Sequence, residues 1–125
     1  MNTLRLLDKA GEKLQSALLS KTAKAVRREH LTYLSISKLR HLEKTLQDIH
    51  HHRVAGDYLE FGIALGGSAI LIAKAAKDAE RSFTGFDIFG TIPPPSDKDD
   101  VKSKERYKTI ADGKSQGLGG DPYYG

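Results

Sequence analysis

Apolar residues recur at helical spacing through the first part of the chain, and then the pattern switches to short strand-like runs. From about Thr3 to Arg28, Leu4, Leu7, Leu14 and Leu18 fall on one stripe with Gly11 among them, while Lys9, Glu12, Lys13, Lys21 and Lys24 lie largely on other faces. This predicts one amphipathic helix that needs a partner surface. Gly11 is its expected weak point, since glycine costs about 1 kcal/mol relative to Ala in a helix interior. A second amphipathic helix is predicted from about Leu31 to His51. Leu39, Leu42, Leu46 and Ile49 form its apolar line, Ser35 extends that line backwards, and Lys38, Arg40, Glu43, Lys44 and Asp48 lie off it.

Past the turn at Gly56 and Asp57 the periodicity changes. Asp57 to Phe61 reads as a strand, a glycine turn follows with Gly62, Gly66 and Gly67, and Ser68 opens a helix to about Glu80 as a natural N-cap. Its Ala73, Ala75, Ala76 and Ala79 suit close packing on a sheet. Arg81 and Ser82 make a turn, and Phe83 to Phe89 reads as a second strand ending at Asp87. Strand, helix and strand within roughly 30 residues form one βαβ unit, with parallel strands and a right-handed crossover. The predicted class is α/β, with two amphipathic helices ahead of the sheet. Gly90 to Asp100 is a loop held extended by Pro93, Pro94 and Pro95, Val101 to Asp112 has moderate helical character, and Gly113 to Gly125 closes no element.

Composition narrows the partners. The chain has 125 residues, 38% hydrophobic and 29% charged, no cysteine, and no apolar run long enough to cross a membrane. The absence of cysteine fits a reducing cytoplasm, and the charged amino terminus does not read as a signal peptide. The net charge of +4 is uneven: residues 1–56 hold 11 Lys and Arg against 5 Asp and Glu, and residues 57–125 hold 9 against 11. The basic residues are spread along helices as solvated faces and do not form a block, so neither nucleic acid nor a membrane surface is the expected partner. His50, His51 and His52 invite a metal site, but successive helical residues point about 100° apart and cannot converge on one ion. Their expected role is to complement the carboxyl end of the second helix.

The chemistry is concentrated between Tyr58 and Ala73. Gly62, Gly66 and Gly67 clear side chains from the path of a ligand and permit positive φ, and the N–H groups at the helix start can meet a polar group. Asp87 lies 20 residues after Gly67 at a strand end, where a carboxylate can accept hydrogen bonds from two ribose hydroxyls. Glu60, at the end of the first strand, can face the same crevice. A pyrophosphate-binding turn needs Gly-x-Gly-x-x-Gly, and this chain has Gly62-x-x-x-Gly66-Gly67. The spacing fits better a ligand without phosphates that carries a ribose and an amino-acid tail, as S-adenosylmethionine does.

Gly56-Asp57-Tyr58-Leu59-Glu60-Phe61-Gly62, Gly66-Gly67-Ser68, Gly85-Phe86-Asp87-Ile88-Phe89 and the triple-proline loop together resemble the macrocin O-methyltransferase family of class I S-adenosylmethionine-dependent enzymes. The resemblance runs from about Leu31 to the end, and Gly90 and Thr91 depart from the Phe-x-Gly-Leu-Pro form expected after the aspartate. It implies a Rossmann-like class I methyltransferase sheet of which this chain holds the amino-terminal half: residues 1–56 as a helical segment and residues 57–125 as the first, truncated part of the cofactor domain. It implies that Glu60, Gly62, Gly66, Gly67 and Ser68 line the methionine end and ribose of S-adenosylmethionine and that Asp87 holds the ribose hydroxyls. It also implies methylation of a hydroxylated small molecule, a sugar or other natural product, with Mg2+ bound by residues this chain does not contain. No metal ligand and no catalytic base is identified here, so the 125-residue chain is expected to turn over weakly or not at all. Two strands cannot bury their own faces, so the sheet is expected to continue in a longer domain or to be completed by association, with the amino-terminal helices as a homo-oligomer contact. The alternative function is a non-catalytic binding or oligomerisation module in which the glycine turn serves only the fold.

Overall fold

The computed structural model describes residue 11 and residues 13–90 and 92–116. The chain divides into two compact units, Met1–Phe86 and Asp87–Gly125. The first contains helices α1 (Lys21–Arg28) and α2 (Ile36–His51), strand β1 (Tyr58–Phe61), helix α3 (Gly67–Asp78) and strand β2 (Phe83–Phe86). The second contains helix α4 (Val101–Ala111).

The long first helix expected from Thr3 to Arg28 is divided. Residue 11 and residues 13–17 are helical, the chain turns at Leu18 and Leu19, and α1 begins afresh; residues 1–10 and 12 lie outside the described residues. The break at Ser20 has a tertiary cause, and the expected weak point at Gly11 is flanked by residues outside the described ones. The Ser20 hydroxyl accepts from the Ala23 N–H at 3.1 Å, while the Ser20 N–H donates to both oxygens of Glu43 on α2 at 3.2 and 3.3 Å. A side-chain cap and a carboxylate borrowed from another helix together satisfy a helix start that periodicity alone does not mark. Glu43, expected on the polar side of α2, is therefore buried. Leu14 and Leu18 of the predicted stripe are exposed.

The second helix also starts later than its pattern suggested. Ser35 is its N-cap, accepting from the Lys38 N–H at 3.3 Å, and residues 31–35 form a loop. α1, α2 and α3 then end alike. A residue with a side chain takes left-handed backbone (His30 φ 56°, Arg53 φ 52°, Glu80 φ 55°), and the following N–H returns to a carbonyl of the last turn, from Leu31 to Val26, Val54 to Ile49 and Arg81 to Ala76. This closing pattern satisfies carbonyls that a helix end leaves open. His50 and His51 occupy the last turn of α2, and the ring Nδ1–H of His52 donates to the Asp48 carbonyl at 2.7 Å. The histidines thus finish the helix.

The core is mainly helical. Leu19, Ala23, Leu39, Leu46 and Leu71 are buried together, and Leu34, Ile36, Leu42, Tyr58, Ile72 and Ala75 pack against them. β1 and β2 are parallel, with Tyr58 beside Phe83, Leu59 beside Thr84, Glu60 beside Gly85 and Phe61 beside Phe86. Strand residues alternate between faces. Tyr58, Glu60, Phe83 and Gly85 are half-buried, whereas Leu59, Phe61, Thr84 and Phe86 are exposed. The ladder stops at Phe86, short of the predicted Asp87, because β1 turns away at Gly62 (φ 86°) once the Gly62 N–H has bonded the Phe86 carbonyl at 2.8 Å.

In the second unit, Asp99 and Asp100 shape the chain locally. Asp99 accepts from the Ser96 N–H at 2.7 Å and the Ser96 hydroxyl at 2.9 Å, and Asp100 caps α4 by accepting from the Ser103 N–H at 2.7 Å. These bonds from Ser96 and Ser103 hold both carboxyls below the usual aspartate range.

Candidate functional site

The glycine turn gets its shape from three residues with positive φ within five positions: Gly62 at 86°, Ala64 at 50° and Gly66 at 85°. Ala64 has no glycine freedom, and such local strain clusters where a surrounding structure fixes a loop for use. The Gly66 N–H bonds the Ile63 carbonyl at 2.9 Å, and the Ile70 N–H takes the Gly66 carbonyl at 2.9 Å as α3 begins. Gly66 is thus the N-cap, in left-handed conformation and without a side-chain cap bond. The expectation that Ser68 caps this helix is corrected, because the chain has already entered α3 at Gly67. The first N–H groups of α3 receive no side-chain cap and are suited to a polar group.

The glycines serve different ends. A Cβ placed on Gly62 or Gly66 would meet nothing within 4 Å, so these residues are needed for backbone conformation beside open space. At Gly67 a Cβ would run into the Leu31 carbonyl and lie 2.6 Å from Cγ1 of Val26. Its role in the structure is to let the start of α3 press against the end of α1. Gly85 is glycine because Ile63 folds over it from the turn, where a Cβ would collide with the Ile63 side chain.

Freed from capping, Ser68 turns its hydroxyl to Glu60. Ser68 Oγ donates to Glu60 Oε1 at 2.5 Å, and Glu60 Oε2 is buried without a hydrogen-bond partner among the described residues. A buried carboxylate oxygen in that condition forgoes an interaction of about 1–3 kcal/mol or more. A cleft of about 130 Å³ lies between residues 62–65, Gly67 and Ser68 on one side and residues 31–34 on the other. Larger clefts of about 300 and 280 Å³ lie by α2 and the end of α3, the second reaching the opposite end of β1 at Tyr58; neither includes the glycine turn, and Glu60 lines none of the three.

The structure thus joins Glu60 to Ser68 and sets Gly62, Gly67 and Ser68 around one cleft. Gly66 turns the chain into α3. Asp87 opens the second unit directly after β2 in sequence, with its Oδ1 accepting from the Phe89 N–H at 3.0 Å and Phe89 at φ 49°. Residues 31–34 were missed as part of the site because the apolar spacing absorbed them into a helix. The available signal was Ser35, a strong cap residue, directly before the periodic run. Among the described residues no group of three or more His, Asp or Glu side chains is placed to hold a metal ion, the acidic loop at Asp97, Asp99 and Asp100 included.

Comparison with known proteins adds an independent line. No curated protein and no solved structure matches the chain significantly. The family model for macrocin-O-methyltransferase (TylF) matches residues 9–114. The match starts well before Leu31 and covers the helices, the glycine turn, Glu60 and Asp87 together. The chain belongs to the macrocin-O-methyltransferase (TylF) family.

Proposed function

We propose that this chain carries the S-adenosylmethionine-binding elements of an O-methyltransferase acting on a hydroxyl of a small molecule, a sugar or another natural product. The observation that supports this most is the buried, partnerless Oε2 of Glu60 at the edge of the glycine turn. A cationic donor such as the ammonium of the cofactor's amino-acid tail would satisfy it with a charge-assisted hydrogen bond. Ser68, bonded to the other oxygen, holds the carboxylate in place for that contact. Gly62 and Gly66 keep the approach open, and the uncapped first turn of α3 favours the tail's carboxylate. Asp87, at the end of the second strand in the family motif, is assigned to the ribose hydroxyls. The cofactor supplies a sulfonium methyl group, while the residues named here bind and orient it. The described residues do not fit a Mg2+ site, and no step is assigned to that ion.

Titration calorimetry with S-adenosylhomocysteine and with 5′-methylthioadenosine, which lacks the amino-acid tail, tests this reading. Glu60→Gln should weaken S-adenosylhomocysteine about tenfold or more and leave 5′-methylthioadenosine nearly unchanged. Absence of heat with S-adenosylhomocysteine at millimolar concentration, or an equal loss for both ligands, would overturn it.

A further inference from the structure

The carboxyl ends of α2 and α3 border the cleft of about 280 Å³ that reaches Tyr58. Half-buried Ile49, Tyr58 and Ala79 give it an apolar floor, and exposed His50, Arg53 and Arg81 stand at its rim. No Asp or Glu lines it. The arginines come together here because both helices end by the same left-handed closure. The Arg53 N–H bonds the His50 carbonyl at 3.1 Å, and the Arg81 N–H bonds the Ala76 carbonyl at 2.9 Å. The Tyr58 N–H donates to the Ser82 carbonyl at 2.9 Å, and the Ser82 N–H donates to Asp57 Oδ1 at 3.1 Å, which ties the residue after Arg81 to the start of β1. The backbone under both guanidinium groups is therefore set before a ligand arrives, and binding need not order it.

Cations at helix carboxyl ends commonly serve the dipole, but that role is filled here without the arginines. His51 lies in the last turn of α2 and Lys77 in that of α3. Among the described residues neither Arg53 nor Arg81 has a side-chain hydrogen bond or ion pair. The carboxylates nearby are engaged elsewhere: Asp57 accepts from the Ser82 N–H, and Asp78, which feels the charge of His50, is bonded to Lys74 Nζ at 2.7 Å. A guanidinium fork matches the oxygens of a carboxylate or phosphate, so uncommitted arginines over an apolar floor complement an oxyanion carried on an apolar body.

We propose that this cleft binds a small organic anion, a carboxylate or phosphate on an apolar or aromatic body, with the anion held by Arg53 and Arg81 and the body resting on Ile49, Tyr58 and Ala79. The site lies away from the glycine turn and does not depend on the cofactor reading.

Benzoate and phenyl phosphate serve as probes, with benzyl alcohol as the neutral control and inorganic phosphate as an anion without a body. Titrations of the full chain are followed by NMR shifts of its amides and arginine Nε–H groups. At least one of the organic anions should give saturable shifts at Arg53, Val54 and Arg81, and the tighter of the two assigns the head group. Benzyl alcohol and inorganic phosphate should each bind about tenfold more weakly. Equal binding by benzyl alcohol would overturn the role of the arginines, and equal binding by inorganic phosphate that of the apolar floor. No saturable shift with either organic anion at millimolar concentration, or shifts centred on another surface, would overturn the site. Arg53→Gln and Arg81→Gln should each weaken the organic anion about tenfold. Lys38→Gln removes the same charge from an exposed position outside the cleft and should leave affinity within about twofold. Equal losses in all of these variants would overturn the proposal in favour of general attraction to a basic chain, as would unchanged affinity in both folded arginine variants.

Discussion

The two faces of the small sheet differ more than their sequences do. Tyr58 and Glu60 alternate with Leu59 and Phe61 on one strand, and Phe83 and Gly85 with Thr84 and Phe86 on the other, so both faces carry large apolar side chains. On one face Tyr58 meets the helical core around Leu39, Leu46 and Leu71. On the other, Leu59 is 58% exposed and Phe61 75%, and the Phe61 and Phe86 rings stack on each other with centroids 4.8 Å apart. Hydrophobicity therefore does not say which face is covered. Shape does: Gly85 and Gly67 are bare where Ile63 and Leu31 must come close, and such allowances lie on the covered side.

If that contrast holds, substitutions should sort by face. Leu39→Ala, at the centre of the covered side, should lower the unfolding free energy by about 2–5 kcal/mol in urea titration. Gly67→Ala should follow at about 1–3 kcal/mol, since its Cβ meets a backbone carbonyl that cannot step aside as a side chain can. A neutral Gly67→Ala would break the account of how α3 docks. Ser20→Ala should cost about 1 kcal/mol by removing the cap that starts α1, with the loss of helix readable by circular dichroism. Phe61→Lys on the open face should change stability least, within about 1 kcal/mol once the lost ring pair is counted. The same change should reduce binding of an apolar dye such as ANS. A large destabilisation by Phe61→Lys would show the open face to be covered in solution and would collapse the comparison.

The elements themselves were largely legible. The βαβ unit followed from two short apolar runs around a glycine turn, and the strands and α3 lie within a few residues of their predicted places. α4 was marked by only a few apolar residues, and its start is fixed by the Asp100 cap. What misled was capping. Ser20, Ser35 and Ser68 have the same side chain, and local pattern gave a cap only to Ser68. The structure uses the first two as caps and gives the third to Glu60. A serine hydroxyl takes whichever partner the surrounding backbone presents, and that partner is set by chain geometry the local sequence does not contain.

The glycine turn shows the same division. By itself the sequence determined where the turn lies, which residue types surround it and which family it belongs to, because spacing, strand length and helix onset are local properties. Only the tertiary structure decided what each residue does there. Three neighbouring glycines separate into two that give the backbone its left-handed turns and one that makes room for another helix. Glu60 acquires one bonded and one open oxygen only because Ser68 has turned toward it. Residues 31–34, distant in sequence, supply the facing wall because Gly67 lets Leu31 come close enough. Contacts between distant segments depend on packing distance, and spacing along the chain does not encode that distance.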